Sequence, residues 1–243
     1  MHAEEEVKQQ EKITQDVEKK SRDRRVLYSK VARCFPLINE SNLIASDLGR
    51  HVKFTPKLLN VLPDDVTSEN DLDPENWEKI LKIEVANSDY GLIWLWDVEK
   101  FEDRLSMMKE MLEEYQRMTH VTPVPPEDDP YWDPPEEHLI GKAYYSLKAL
   151  GLLFDNPFDL HIISTQGGDA GTLKMNINPI EIDEEDCPEA PEEVVGTKIS
   201  FDVEISEATN LPSSHANNVY CTYDFWKEET RITSTVPMHN ENP

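Results

Sequence analysis

The chain has 243 residues, of which 49 are acidic and 24 are basic, so that its net charge is −25. A charge of this sign and size repels the phosphates of nucleic acids and of anionic lipid head groups. We therefore expect no nucleic-acid partner, and membrane association only through other proteins.

The three cysteines, Cys34, Cys187 and Cys221, lie far apart and form no CxxC or Cys/His metal spacing. An odd and scattered set of this kind favours a reducing compartment. The sequence contains no apolar run of roughly 18 residues, the length that a membrane span needs, and its acidic start lacks the apolar core of a signal peptide. These features predict a cytoplasmic protein that reaches organelles only through partners.

Residues 1–49 are predicted to be a helical, coiled-coil-like segment. A heptad register with alternating steps of four and three runs through this stretch. Its apolar pairing seam consists of Ile13, Val17, Leu27, Val31 and Ile38. Lys20 and Arg24 occupy the middle of the seam and weaken it, so we expect a weak dimer of the chain with itself. A single solvated helix is the competing interpretation.

Pro36 is predicted to break or kink this helix, because proline inside a helix costs about 3 kcal/mol. A second short helix is then expected over residues 37–48. Gly49 follows it as the glycine that commonly ends a helix.

Residues 50–120 are predicted to form a small β/α unit. Strands are expected at 50–61, as an edge strand broken by Pro56, and at 77–87 and 90–96. A helix at 97–118, with Asp97 as its N-cap, closes the unit. Its apolar residues recur every three or four positions and form one stripe. The stripe consists of Val98, Phe101, Leu105, Met108, Met111, Leu112, Tyr115 and Met118.

Residues 121–137 form a proline-rich, extended strap beside this helix. The strap and the unit before it contribute an aromatic belt. The belt consists of Trp94, Trp96, Phe101, Tyr131 and Trp132. These side chains either pack internally or dock a partner, and internal packing is the favoured interpretation.

The C-terminal half is predicted to be rich in β-structure. Residues 138–180 form a β domain with strands at 139–150, 160–164 and 172–177, and the acidic stretch 181–193 is a linker. In residues 194–243 the apolar/polar alternation of 199–205 predicts a strand, and 219–225 and 231–236 are further strands. The stretches Phe201-Asp-Val-Glu-Ile-Ser-Glu-Ala-Thr-Asn-Leu-Pro212 and Asn218-Val-Tyr-Cys-Thr-Tyr223 resemble the first strands of a C2-like β-sandwich, so we expect residues 194–243 to be a partial C2-like sandwich. The overall fold class is α+β. Because the chain stops soon after a strand, we expect it to be a fragment of a longer protein.

The sequence contains no motif that identifies a catalytic, nucleotide-binding or metal site. No GxxxxGK[ST] phosphate loop is present, so we expect no ATP or magnesium site and no catalytic residues. The C2-like segment has Ser213 and Asn218 where calcium-binding sandwiches place aspartates, which argues against a calcium site. We therefore expect no metal and no cofactor in this chain.

Two stretches of sequence carry a resemblance to a known family. The first is Trp94-Leu-Trp-Asp-Val-Glu-Lys-Phe101, and the second is Asp129-Pro-Tyr-Trp-Asp-Pro-Pro-Glu-Glu-His-Leu-Ile-Gly-Lys142. In order and spacing they resemble the non-motor region of kinesin-3 motors, after the forkhead-associated module. The second stretch is similar to the sequence of a divergent family member of the mitochondrial-transport type.

The resemblance implies that the parent protein is an ATP-driven microtubule motor and that this chain is a non-catalytic part of its tail. Such a tail serves dimerisation, autoinhibition or cargo attachment in the cytoplasm, on the cytoskeleton or at a mitochondrion or vesicle. Its implied partners are a second copy, cargo adaptor proteins and the parent's own motor domain; ATP, magnesium and tubulin would bind only that motor. The alternatives are a C2-like scaffold module unrelated to motors, and an enzyme of an unrecognised class.

Overall fold

The computed structural model describes residues 2–118, 124–146, 156–180, 191–213, 216–224 and 230–237, and it describes side chains from Thr14 onward except at 16, 17, 69, 156, 191 and 192. The chain divides into two compact units. Unit 1 comprises Met1–Val61 and Glu78–Glu137, and unit 2 comprises Leu62–Trp77 and His138–Pro243. The α+β class is confirmed.

Unit 1 begins with one long helix, α1, which spans His2–Asp47 and contains Pro36. The predicted break at Pro36 and the separate short helix predicted over 37–48 are therefore wrong. Residues on both sides of it, including Cys34, Ile38 and Ile44, are buried in the core of the unit. Burying one such side chain contributes about 1.5–3 kcal/mol, so several of them together offset the cost of the proline.

α1 ends just before Gly49, as the sequence predicts. Gly49 has a left-handed φ of 67°. The Arg50 amide donates to the Ala45 carbonyl at 2.8 Å, and the Gly49 amide donates to the Ser46 carbonyl at 3.1 Å. These two bonds form a Schellman motif, which turns the chain into the first strand.

Unit 1 continues with a three-stranded antiparallel sheet of β1 (Val52–Val61), β2 (Glu78–Asn87) and β3 (Leu92–Asp97), in the order β1-β2-β3. The three predicted strands are confirmed, but the predicted break of the first strand at Pro56 is wrong. β1 lies at the edge and runs through Pro56 without a break, because an outward-facing position on an edge strand needs no ladder N–H.

The helix predicted at 97–118 is also confirmed, as α2 at Val98–Met118. The first part of its apolar stripe is buried, from Phe101 to Met111. Tyr115 and Met118, at the end of the stripe, are exposed. The Asp97 carboxylate lies 2.8 Å from Lys82 Nζ and makes an ion pair.

Unit 2 contains a four-stranded antiparallel sheet in the order β4-β5-β6-β7. Its strands are β4 (Gly141–Lys142), β5 (Asn156–Ser164), β6 (Asp169–Pro179) and β7 (Phe201–Thr209). The strand predicted at 139–150 is thus only two residues long in the described part, and 147–150 lie outside the described residues. The predicted alternation in β7 is confirmed, because Phe201, Val203 and Ile205 are partly buried between exposed neighbours.

β7 pairs with β6, with Val203 opposite Ile177 and Ile205 opposite Met175. β7, which is predicted to be the first strand of the C2-like unit, therefore belongs to the same sheet as the strands of the predicted β domain. Residues 181–190 of the predicted linker lie outside the described residues. β8 (Thr222–Tyr223) pairs with β9 (Arg231–Ile232), and these strands are shorter than predicted. The facing sheet of a sandwich stays a prediction.

Candidate functional site: an aromatic strap and its ion pairs

The aromatic belt packs inside unit 1. Trp94, Trp96, Phe101 and Tyr131 are at most 1% exposed, and Trp132 is partly buried against them. Phe54 of β1, which the sequence analysis did not assign to the belt, lies at its centre. Its ring centroid is 6.0 Å from that of Trp96, 5.8 Å from Phe101 and 6.3 Å from Tyr131, all in tilted arrangements. Such pairs add about 0.5–1.5 kcal/mol each beyond burial.

Hydrogen bonds attach the proline strap to the sheet. The Trp94 indole Nε1–H donates to the Pro134 carbonyl at 2.8 Å. The Asn87 side-chain amide donates to the Tyr131 carbonyl at 3.5 Å. Within the strap, the Tyr131 amide donates to Asp129 Oδ1 at 2.9 Å, which forms a local Asx turn. These hydrogen bonds therefore hold the strap in place, and its prolines restrict the other backbone conformations that it could adopt.

A buried carboxylate is the electrostatic centre of this arrangement. Asp133 is 5% exposed, and its Oδ1 accepts a hydrogen bond from Arg104 Nη2 at 3.0 Å. Its Oδ2 lies 2.6 Å from Lys100 Nζ. Arg104 also donates from Nη1 to the Asp129 carbonyl at 2.8 Å. A buried charge needs such partners, because an unpaired one is strongly destabilising.

The same two cations lie over an aromatic ring. Lys100 Nζ is 5.5 Å and Arg104 Cζ is 5.8 Å from the centroid of the Trp96 ring. Lys100 and Arg104 are four residues apart and so lie on the same face of α2. That spacing, together with the equal spacing of Asp129 and Asp133, is the sequence signal that could have predicted the cluster.

Arg50 completes the attachment of the strap. Its guanidinium lies 5.5 Å from the centroid of the Tyr131 ring, and its Nη1 is 3.3 Å from Asp129 Oδ2. Burial raises the pKa of the Tyr131 phenol well above its ordinary value, against a smaller lowering by Arg50. Neither Tyr131 Oη nor Trp96 Nε1 has a hydrogen-bond partner among the described residues.

Chemically, this cluster stabilises structure. Its cations and carboxylates form ion pairs with one another, and the cations also donate to a backbone carbonyl or lie over aromatic rings. Within the described ranges, no three or more His, Cys, Asp and Glu side chains converge as metal ligands would. No helix there combines the length and the apolar content that crossing a bilayer requires.

The predicted pairing seam of α1 falls into two parts. The side chains of Ile13 and Val17 lie outside the described residues. Ile38 is 3% exposed in the core of its own chain, and Leu27 and Val31 pack at the edge of that core. Ile38 therefore serves intrachain packing, which corrects its assignment to the seam. Pairing through the stretch before Leu27 stays a prediction.

Unit 2 has a smaller polar cluster around Lys142, which the sequence analysis did not predict. Lys142 Nζ lies 2.6 Å from Asp64 Oδ1 and 3.4 Å from the carbonyl oxygens of Leu62 and Pro63. The hydrogen bond from Lys142 and its charge lower the pKa of the Asp64 carboxyl. The Tyr144 hydroxyl donates to the Pro63 carbonyl at 2.6 Å. These groups hold residues 62–64 to the strand region of unit 2.

Comparison with known proteins supplies the family context. No family model matches the chain. It is 26% identical over 186 residues to Kinesin-like protein KIF28 of Rattus norvegicus, and this match covers 74% of the chain and 17% of that relative. It is 25% identical over 224 residues to Kinesin-like protein KIF13B of Homo sapiens, which covers 85% of the chain and 12% of the relative.

A third relative, Kinesin-like protein KIF13A of Homo sapiens, is 29% identical over 167 residues, or 59% of the chain and 9% of the relative. The chain thus spans 17% or less of the length of these curated relatives. The sequence similarity is to a non-motor region of kinesin-like proteins of the kinesin-3 group.

Proposed function

We propose that this chain is a non-catalytic tail module of a kinesin-like microtubule motor, which serves dimerisation, autoinhibition or cargo attachment. The similarity to several kinesin-like proteins over 59–85% of the chain, outside the motor, is the observation that carries the proposal. The absence of a phosphate loop from the sequence supports a non-catalytic role. The proposed location is the cytoplasm, on microtubules through the motor or on an organelle through a partner.

The distribution of apolar side chains indicates which surface would serve such a role. The aromatic belt is buried and so is unavailable to a partner. Along α1, by contrast, Tyr28, Phe35 and Leu43 are each more than half exposed. Large apolar side chains on a solvated helix are typical of surfaces that contact another protein. We therefore assign partner contacts to α1, and a scaffolding role to the sheet, α2 and the strap.

The proposal is tested by fusing the chain to a constitutively active, monomeric kinesin motor. Three readouts separate the three roles. Dimerisation raises the mass measured by light scattering, autoinhibition lowers microtubule-stimulated ATP turnover, and cargo attachment carries organelles or vesicles to the cell periphery. The control fusion carries an inert protein of the same size. A fusion that matches the control in all three readouts would overturn the proposal.

A further inference from the structure

One segment of α1 differs in charge from the rest of the chain. Residues 19–33, which we call the basic arm, contain seven of the 24 basic residues and one of the 49 acidic residues. The arm has a net charge of +6, and the other residues, with 17 bases and 48 acids, sum to −31. Such a separation of charge along one helix creates a local potential that attracts anionic ligands despite the acidity of the whole chain.

The basic arm presents its charges to solvent. Every residue at positions 19–26 is exposed, and so are Tyr28, Ser29 and Lys30. Full burial begins only at Cys34. Because successive residues on a helix point about 100° apart, an unbroken exposed run means that the helix meets solvent on every side. Arg33, at the end of the arm, is engaged with Glu102 of α2 at 3.0 Å.

The geometry of the arm discriminates between classes of anionic ligand. Insertion into a membrane surface requires one apolar face, but the exposed Val26 and Tyr28 are two residues apart and so point about 200° apart around the helix. A nucleic acid is a long polyanion and would also approach the acidic remainder of the chain. A short flexible peptide can follow the arm and contact bases on several sides, and the acidic remainder beyond about one Debye length is screened.

We propose that the basic arm is a docking site for an acidic, extended peptide segment of a partner protein, rich in glutamate and aspartate. Arg22, Arg24 and Arg25 offer planar forks that pair with carboxylates in bidentate geometry. Tyr28 adds an exposed ring, 65% accessible, at the same end of the arm as Lys30. The inference goes beyond the proposed function and does not depend on it, because it rests only on the charge and exposure of α1.

The test measures binding of a fluorescent decaglutamate peptide to the full chain by anisotropy at low and at physiological salt. The arm variant is Arg22→Glu with Arg24→Glu and Arg25→Glu. The matched control is Lys53→Glu with Lys79→Glu and Lys198→Glu, which reverses three exposed bases outside the arm and changes the net charge equally. We expect the arm variant to weaken the affinity at least about tenfold and the control less than about threefold.

Several outcomes would overturn the proposal. One is equal weakening in both variants, and another is the absence of peptide binding to the unaltered chain at low salt. Tighter arm-dependent binding to phosphatidylserine vesicles would reassign the arm to membranes, and tighter binding to single-stranded DNA would reassign it to nucleic acid. Circular dichroism checks the fold of each variant. If charge reversal unfolds the helix, the milder Arg22→Gln, Arg24→Gln and Arg25→Gln variant is measured, with the same expectation.

Discussion

The side-chain amide of Asn42 in α1 makes with Phe54 in β1 both hydrogen bonds that a neighbouring strand would make. The Phe54 amide donates to Asn42 Oδ1 at 2.9 Å, and Asn42 Nδ2 donates to the Phe54 carbonyl at 3.0 Å. β1 is an edge strand, whose outward backbone groups have no ladder partner. Two residues further on, Pro56 has no N–H to satisfy. An amide and a proline thus protect this edge of the sheet.

Replacing Asn42 should therefore destabilise unit 1. Asn42→Ala leaves the partly buried amide and carbonyl of Phe54 without partners, which costs about 1–3 kcal/mol of unfolding free energy. Urea denaturation measures the loss. The control is Asn39→Ala, an exposed asparagine on the same helix, which should change stability by less than about 0.5 kcal/mol. Equal effects of the two substitutions would show that the Asn42–Phe54 bonds contribute nothing specific.

The buried carboxylate of Asp133 should be the most sensitive charged position in unit 1. Asp133→Ala leaves Lys100 and Arg104 facing a neutral pocket, and breaking a buried pair in this way costs about 3–5 kcal/mol. Asp103→Ala removes an exposed carboxylate from α2 and should have little effect. Thermal unfolding of the two variants gives the comparison. A small loss with Asp133→Ala would mean that water replaces the carboxylate readily.

Tyr131 should tolerate loss of its hydroxyl better than loss of its ring. Tyr131→Phe removes a buried oxygen without a hydrogen-bond partner among the described residues, so stability should be unchanged or rise by about 1 kcal/mol. Tyr131→Ala leaves a cavity in the aromatic belt and should cost about 3–5 kcal/mol. Chemical denaturation measures both. A marked loss with Tyr131→Phe would reveal a hydrogen bond to the hydroxyl in solution.

Raising the pH should increase the difference in stability between Tyr131→Phe and the unaltered chain. Burial raises the pKa of the Tyr131 phenol in the folded protein above its unfolded value of about 10. The folded state therefore retains the proton more tightly, and stability is lost as the pH rises above about 10. Tyr131→Phe lacks this loss, so its advantage over the unaltered chain should widen from pH 8 to pH 11. A constant difference in unfolding free energy across that range would contradict the burial of the phenol.

In unit 2, Gly171 should be required for the pairing of β6 with β7. Its φ is 119°, and a Cβ there would lie 2.4 Å from the Thr209 carbonyl oxygen. Gly171→Ala should cost about 1–3 kcal/mol or more, through strain and displacement of the neighbouring strand. Gly168→Ala is the matched control, because the nearest atom to its Cβ is Ser164 Oγ at 3.8 Å. Hydrogen exchange of β7 amides should accelerate only in the Gly171 variant.

Self-association through α1 is the remaining prediction. Lys20 and Arg24 lie in the middle of the predicted seam and are exposed, so we expect a dissociation constant in the micromolar range or weaker, about 8 kcal/mol or less at standard state. Lys20→Leu with Arg24→Leu should tighten the dimer, as measured by sedimentation. A double variant that remains monomeric at every concentration would refute the heptad register.

The amino-acid sequence by itself determined the elements whose signals are local. The period of three and four in α2, the alternation in β7 and the glycine that ends α1 each depend on neighbours along the chain. The aromatic belt was also recognisable, because five large rings concentrated near a proline strap are difficult to place outside a core. Phe54, at the centre of the belt, could not be assigned to it from the sequence. The alternation within β1 indicates a strand but does not indicate which rings Phe54 contacts.

Only the tertiary structure decided the rest, because the deciding energies come from residues distant in sequence. α1 continues through Pro36 because burial of Cys34, Ile38 and their neighbours outweighs a local penalty. Asp133 can be buried because two cations about thirty residues earlier in the sequence reach it. β7 joins the sheet of β6 across a segment whose composition predicts a linker, because backbone pairing depends on which edge is available.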